Sequence, residues 1–190
     1  VNNPPLQADV LVFGLRGTSG SILNNDLPAS FVINGIAFNS LAGAFTFDGN
    51  AITLAGGISN NSTVLQTINF DIDITGQRTL TTTAAGGDLI LAGALSGIGG
   101  ISKAGAGILT LLNPANTYTG ETIFGPGVIN VASVSDYGVA SSLGARTFEQ
   151  ENGTVTGISL HFRGGTLQYT GTTPQSTNRQ IRMLNGEGGT

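Results

Sequence analysis

Three apolar residues in the middle of the chain recur at a fixed interval, with Leu91, Leu111 and Val131 each 20 positions apart. Each closes a short run in which apolar residues stand at every second position. This alternation predicts β-strands, because successive side chains of a strand point to opposite faces. A fixed interval between equivalent strands predicts that they stack, one per coil, so that matching positions share one core. The chain is therefore expected to form a β-solenoid.

Short strand patterns extend over the rest of the chain, while the 3.6-residue period of helices is nearly absent. The runs lie at 45–47, 52–54, 68–74, 89–91, 108–111, 128–131, 158–162 and 166–169. We predict an all-β fold, a parallel β-helix forming one segment over 1–190 with about 20 residues per coil. At about 4.8 Å per strand this gives roughly nine coils and a rod of about 45 Å. The 30 glycines suit the tight corners between its faces.

The low charge of the chain excludes several classes of function. Charged residues make up 9%, the net charge is −4, and the seven basic residues are scattered. We expect no nucleic-acid partner, because phosphate neutralisation requires a concentrated basic face. The chain has no cysteine, which excludes disulfides and thiolate chemistry. Apolar residues at 39% recur throughout, which argues for a folded chain.

The period is interrupted after Val131. Segment 132–152 carries Tyr137, Arg146 and the polar run Glu149-Gln150-Glu151 in place of an alternating pattern. We expect a loop excursion over 132–152, either a longer loop or a short helical turn on the surface between two coils.

Residues 99–131 resemble a known repeat. The segment reads Gly-Gly-Ile-Ser-Lys-Ala-Gly-Ala-Gly-Ile-Leu-Thr-Leu from Gly99, Asn-Thr-Tyr-Thr-Gly-Glu-Thr from Asn116, and Gly-Pro-Gly-Val-Ile-Asn-Val from Gly125. This long spaced pattern is similar to the passenger-associated β-strand repeat of autotransporters, the passengers of type V secretion. The resemblance covers about a sixth of the chain.

Three residues depart from the usual form of that repeat: Ile108 and Val128 stand where threonine is common, and Glu121 replaces a glycine. All three positions tolerate a side chain. The resemblance implies a right-handed parallel β-helix that is secreted or carried on the bacterial cell surface, associated with the outer membrane. It implies contact with the membrane only through a separate barrel that is not part of this sequence, so we expect a fragment of a larger surface protein.

The sequence offers little chemistry for catalysis. His161 is the only histidine, and its neighbours Leu160 and Phe162 are expected to point inward and leave it on the surface. A catalytic triad or a multi-histidine metal site would depend on this one residue. We therefore expect a non-enzymatic, structural or adhesive segment with no catalytic residues, no cofactor and no metal.

Two alternatives stay open. Asp71 and Asp73 project from one strand face, and tyrosines such as Tyr118, Tyr137 and Tyr169 could stack on sugars, which suggests a carbohydrate-binding or polysaccharide-cleaving β-helix. We take Asp71, Asp73 and Tyr118 as the candidate ligand surface, with host or matrix glycans as partners. The second alternative is a self-assembling extracellular fibre, because solenoid ends expose strand edges that can pair with other copies end to end.

Overall fold

The computed structural model describes residues 5–15, 21–83, 86–152 and 158–184. These residues form strands throughout, with one short helix. The strands are β1 (Val10–Phe13), β2 (Ile22–Asn25), β3 (Phe31–Phe38), β4 (Thr46–Gly49), β5 (Ile52–Asn60), β6 (Gln66–Ile68), β7 (Ile72–Ile74), β8 (Arg78–Thr82), β9 (Leu89–Leu91), β10 (Leu95–Ser96), β11 (Ile101–Ala104), β12 (Ile108–Leu111), β13 (Thr122–Phe124), β14 (Val128–Val131), β15 (Leu160–Phe162), β16 (Thr166–Tyr169) and β17 (Ile181–Met183); the helix is α1 (Phe148–Asn152).

The strands pair in parallel and build two sheets, which define a β-solenoid. The first sheet runs β1-β3-β5-β8-β11-β13-β15-β17, and the second runs β16-β14-β12-β9-β6-β4-β2. A third face is formed by β7, β10 and the first halves of β3 and β5, which pair in the order β3, β5, β7, β10. The chain passes from the third face to the first sheet and then to the second sheet in each coil.

The predicted all-β, parallel solenoid is confirmed, but its coils are longer and fewer than expected. The described chain makes about seven turns of roughly 22 residues, which corresponds to a stack of about 34 Å. The interval of 20 residues holds between the paired strands β9, β12 and β14. In the first sheet, β8 and β11 are 23 residues apart, since Arg78 pairs with Ile101. Loops between the first and second sheets of the N-terminal coils also lengthen the turns.

The predicted column of apolar residues is present. Leu111 lies in register with Leu91 on one side and with Val131 on the other. The same column continues through Phe47, Ile68 and Tyr169. Leu91, Leu111 and Val131 are all buried, and burying such a side chain stabilises the fold by about 1.5–3 kcal/mol. Equivalent positions therefore form one continuous core along the axis.

Aromatic rings fill the N-terminal part of this core. Phe13, Phe38, Phe45 and Phe47 lie with ring centroids between 4.8 and 6.3 Å apart. A ring pair also stacks near the other end, where Phe124 and Phe162 are 4.3 Å apart and nearly parallel. Parallel pairing places Phe38 in register with Phe13 and Phe162 in register with Phe124, so each of these two pairs stacks between neighbouring coils.

One buried amide replaces an apolar residue in the second sheet. Gln66 stands in register with Leu89 and is completely buried. Its Oε1 accepts a hydrogen bond from Phe45 N at 2.9 Å, and its Nε2 donates to Gly43 O at 2.9 Å. The side chain thereby satisfies backbone groups of the loop before β4, which would otherwise be unpaired in the interior.

The segment after β14 leaves the coil before the stack resumes. Within 132–152 the structure has loops followed by α1, and an isolated antiparallel bridge joins Ser141 to Asn116 of the preceding coil. Thr147 and Gln150 cap the start of α1 reciprocally: Gln150 N donates to Thr147 Oγ1 at 3.2 Å, and Thr147 N donates to Gln150 Oε1 at 2.8 Å. This capping box fixes where the short helix begins.

We predict that Leu111→Ala lowers the free energy of unfolding by about 2–5 kcal/mol, because it leaves a cavity between two neighbouring coils. Thr110→Ala on the same strand is the matched control and should cost less than about 1 kcal/mol, since Thr110 points outward. Urea denaturation followed by circular dichroism measures both. Equal losses for the two variants would show that the stacked column does not hold the coils together.

Candidate functional surface

Small and hydroxyl-bearing side chains cover the outer surface of the first sheet. Thr79 lies in register with Ser102, and Thr81 lies in register with Ser59 on the other side. Leu80, between Thr79 and Thr81, is buried, and so is Thr82, which follows Thr81. The outward positions here therefore carry short, uncharged side chains.

Asp71 and Asp73 both point outward on the third face, flanking the buried Ile72. The Asp71 Oδ1 atom accepts a hydrogen bond from Ala94 N of the next coil at 2.7 Å. Asp71 is exposed and Asp73 is half-buried. One carboxylate oxygen of Asp71 therefore accepts a hydrogen bond that joins two neighbouring coils.

Asp73 belongs to a polar strip that crosses three coils. It lies in register with Thr53 on one side and with Ser96 on the other. We define Thr53, Asp71, Asp73 and Ser96 as the third-face strip. It places two carboxylates and two hydroxyls on one outward surface.

Tyr118 does not belong to this surface, contrary to the sequence-based expectation of an exposed ring. Its side chain is completely buried, because Asn116 and Tyr118 take the inward positions on either side of the exposed Thr117. The Tyr118 hydroxyl lies 2.8 Å from Thr122 Oγ1, which satisfies it in the interior. Burial raises the pKa of Tyr118 to about 12. A ring in this position cannot stack on a glycan.

The other two tyrosines are held by hydrogen bonds at the periphery. Tyr137 is half-buried; its hydroxyl donates to Glu151 Oε2 at 2.7 Å and accepts from Gln180 N at 2.8 Å. The Tyr169 hydroxyl donates to Thr173 O. Tyr169 is the more exposed of the two, although it stands in the inward column in register with the buried Val131.

His161 is buried, although the alternation of its neighbours predicted a surface position. It points away from the core in register with Ile123 and Arg182, yet it is only 4% exposed. Burial lowers its pKa, and the nearby Arg163 lowers it further. Arg163 Nε donates to His161 Nε2 at 3.3 Å, a contact that requires the neutral imidazole as acceptor.

A buried arginine joins the last coils to the excursion. Arg179 is 4% exposed; its Nε donates to Ser159 Oγ at 2.8 Å and its Nη1 donates to Leu143 O at 2.9 Å. Burial lowers its pKa, which the hydroxyl of Tyr118 and the carboxylate of Glu151 partly offset. Arginine stays protonated in such surroundings, so this side chain is a cation that connects two parts of the fold.

Lys103, the only lysine, lies inside the stack. It occupies the inward column of the first sheet between Leu80 and Phe124 and is 2% exposed. The neighbouring residues of this column are apolar, so the buried ammonium group needs hydrogen-bond acceptors to offset its loss of hydration.

Backbone carbonyls at the corner supply that compensation. Lys103 Nζ donates to the oxygens of Ala104, Gly105 and Pro126 at 2.8, 2.6 and 3.1 Å. Gly127 turns this corner with φ of +90°, and a Cβ on it would lie 2.9 Å from Lys103 Nζ. Burial nevertheless lowers the pKa of Lys103 to about 8, against the attraction of Asp88.

Among the residues that the structure describes, no group of three or more His, Cys, Asp or Glu side chains is placed to hold a metal ion. In the same residues, no helix is long and apolar enough to cross a membrane.

The two parallel sheets define this chain as a parallel β-solenoid, and part of it is similar in sequence to a known protein. The "Adhesin BmaC autotransporter" of Brucella suis biovar 1 (strain 1330) is 34% identical to this chain in an alignment of 113 residues that covers 58% of this chain. The chain spans 3% of the length of that relative. No protein-family model and no solved structure matches the chain. The similarity to an autotransporter adhesin is therefore distant and partial.

We predict that Arg179→Gln lowers the free energy of unfolding by about 1–3 kcal/mol, because it removes donors to the buried Ser159 and Leu143 oxygens. Arg182→Gln is the matched control on the exposed β17 and should change stability by less than about 0.5 kcal/mol. Urea unfolding curves measure both. If the two variants lose equal stability, Arg179 does not connect the excursion to the coils.

The lowered pKa of Lys103 predicts a pH dependence of stability. Between pH 8 and 10 the unfolded lysine keeps its proton while the folded one loses it, so the free energy of unfolding rises with pH, by at most about 1.4 kcal/mol per pH unit. The rise should fall below this limit, because Ala106 and Pro126 expose the corner to screening water.

Lys103→Met should lack this rise, and so should Lys103→Arg, which keeps a permanent charge. Urea unfolding of the three proteins at pH 7.5, 8.5 and 9.5 gives the comparison. A difference between the original chain and Lys103→Met that stays constant over this range would contradict a pKa near 8 for the buried amine.

Proposed function

We propose that this chain is a structural and adhesive segment of an autotransporter-type passenger at the bacterial cell surface, without catalytic activity. The observation that carries the proposal is the uninterrupted apolar column that Leu91, Leu111 and Val131 form, together with an exterior poor in charge. The partial similarity to an autotransporter adhesin supports it.

A solenoid suits the task of carrying a contact surface away from a cell. Each coil contacts only its neighbours, so the length of the rod grows with the number of coils and needs no other scaffold. The coils can also form one after another from either end, which fits folding outside the cell as the chain emerges. Since the chain has no cysteine, this folding requires no disulfide formation.

The third-face strip is the surface that we propose for glycan contact. Asp71 retains an oxygen beyond the one that accepts from Ala94 N, and Asp73 lies between the hydroxyls of Thr53 and Ser96. Carboxylates accept hydrogen bonds from sugar hydroxyls, and hydroxyl side chains both donate and accept. The net charge of −4 favours neutral or basic host glycans over strongly acidic ones.

We predict that the purified chain, coupled to beads, increases bead adhesion to cultured epithelial cells and is retained on a subset of immobilised host glycans. Asp73→Asn should weaken this glycan retention by about tenfold, which corresponds to losing one hydrogen bond to a charged group. Asp26→Asn, which removes an exposed charge outside the strip, is the matched control.

Adhesion no greater than that of uncoated beads would contradict the adhesive function. If Asp73→Asn and Asp26→Asn weaken glycan retention equally, the third-face strip is not the glycan-binding surface. The non-enzymatic part is tested separately, by incubating the chain with a panel of polysaccharides and measuring new reducing and unsaturated ends. If new ends appear with the original chain and do not appear with Asp71→Asn, the chain is a polysaccharide-cleaving β-helix instead.

A further inference from the structure

An asparagine followed two positions later by serine or threonine occurs three times in the chain. The segments are Asn60-Asn61-Ser62, Asn61-Ser62-Thr63 and Asn152-Gly153-Thr154. This pattern is the acceptor sequence for N-linked sugars, and it requires an asparagine on the surface. The third segment extends beyond the described residues. The first two overlap at the end of β5, and the structure distinguishes between them.

Asn60 is too deeply buried to be modified. Its side chain is completely buried, and its Nδ2 donates to Val64 O and to Asp88 O, both at 2.9 Å. Its Oδ1 accepts from Ser62 Oγ at 2.7 Å, so the hydroxyl that completes the first segment is also used inside the fold. The first segment therefore stabilises the corner and offers no acceptor.

Asn61 lies on the outer side of the same corner. Its side chain is exposed, and so is that of Thr63. The Asn61 N–H donates to Phe38 O of the neighbouring coil at 2.9 Å, and its Oδ1 accepts from Thr83 Oγ1 at 2.7 Å. Among the described residues, none accepts a hydrogen bond from its Nδ2. The stack thus holds the backbone in place, while the nitrogen that would carry a sugar is available.

The surface beside Asn61 has room for a sugar. A groove of about 570 Å³ opens there, with Asn39, Ser40 and Leu41 in its wall. Leu41 is 68% exposed, and the C–H face of a sugar ring on Asn61 would cover part of this apolar surface. β5 is the third strand in the order of the first sheet, so this corner lies at the side of the stack, where coils added at either end do not cover it.

We propose that Asn61 is an acceptor for an N-linked sugar. The donor is a sugar whose anomeric carbon is activated by a diphosphate, carried on a nucleotide or on a lipid. Asn61 Nδ2 forms a bond to that carbon while the bond from the carbon to the diphosphate oxygen breaks. The diphosphate leaves with the bonding electron pair, and Nδ2 gives one proton to a base of the transferase. The inference goes beyond the adhesive function, since the solenoid can adhere without this modification.

Asn39 provides a matched control within the chain. It follows β3 as Asn61 follows β5; its N–H donates to Phe13 O at 2.8 Å, and its side chain is exposed. Leu41 stands two positions after Asn39, where Asn61 has Thr63. The two corners are thus alike in position and differ in the hydroxyl that the acceptor sequence requires.

In the experiment, the folded chain is incubated with a soluble N-glycosyltransferase and UDP-glucose, and separately with an oligosaccharyltransferase and a lipid diphosphate oligosaccharide. Mass spectrometry of the intact chain and of its peptides locates the sugar. We expect modification of Asn61, and none of Asn39 or Asn60, with at least one of the two donors. A single hexose identifies the nucleotide donor as the source, and an oligosaccharide identifies the lipid donor.

Variants of the hydroxyl position make the test specific. Thr63→Val should lower the rate of modification at least about a hundredfold, since a site that hydrogen-bonds a hydroxyl rejects an analogue without it. Thr63→Ser should still be modified, and Leu41→Thr should add a sugar at Asn39. Both changed positions are exposed, and circular dichroism verifies that the variants fold.

Three results would overturn the proposal: no sugar from either donor, modification of Asn60 or Asn152 in place of Asn61, or a sugar on Asn61 that Thr63→Val does not reduce. None of them affects the adhesion of beads that carry the unmodified chain. A failure of this proposal is therefore distinguishable from a failure of the adhesive function.

Discussion

Parallel hydrogen bonding between successive coils is the constraint on which the rest of this structure depends. Once a strand pairs in parallel with its equivalent in the next coil, inward positions must coincide, as Leu91, Leu111 and Val131 do. Each inward side chain then packs against its equivalents in the neighbouring coils and against side chains of the facing sheet, as Phe13 and Phe38 pack against Phe47. Outward side chains do not enter the core, so the third-face strip can carry carboxylates and hydroxyls.

The interior tolerates polar groups wherever the corners supply partners. Lys103 and Gln66 both occupy columns that are otherwise apolar, and each is satisfied by backbone groups of the loops where the chain turns. A solenoid has such corners in every coil, so a long polar side chain can reach one from an inward position. Arg179 uses the same device, binding Leu143 O in the excursion.

The alternation of short strands was sufficient to predict the fold class, and the interval of 20 was sufficient to align β9, β12 and β14. The number of coils could not be predicted from that interval, because loops held by side chains such as Gln66 lengthen the other turns.

Burial was the weaker part of the sequence-based interpretation. Tyr118 was expected outside, as a ring that could stack on sugars, yet the alternation of Asn116, Thr117 and Tyr118 contained the signal for an inward ring. His161 points outward as expected but is covered, which strand alternation alone does not report. Asp71 and Asp73 lie on the outer face that alternation predicted, while the hydrogen bond of Asp71 to Ala94 depends on the next coil and has no signature in the local sequence.

The excursion shows how much this architecture can absorb. Thr122 pairs with Leu160, and Val128 pairs with Thr166, so the partners on both sheets are displaced by the same 38 positions. The extra residues lie in the sequence between β14 and β15, and the strands that follow pair in parallel register with those that precede them. A connection of this kind can therefore change in length and sequence while the stacked strands on either side of it keep their register.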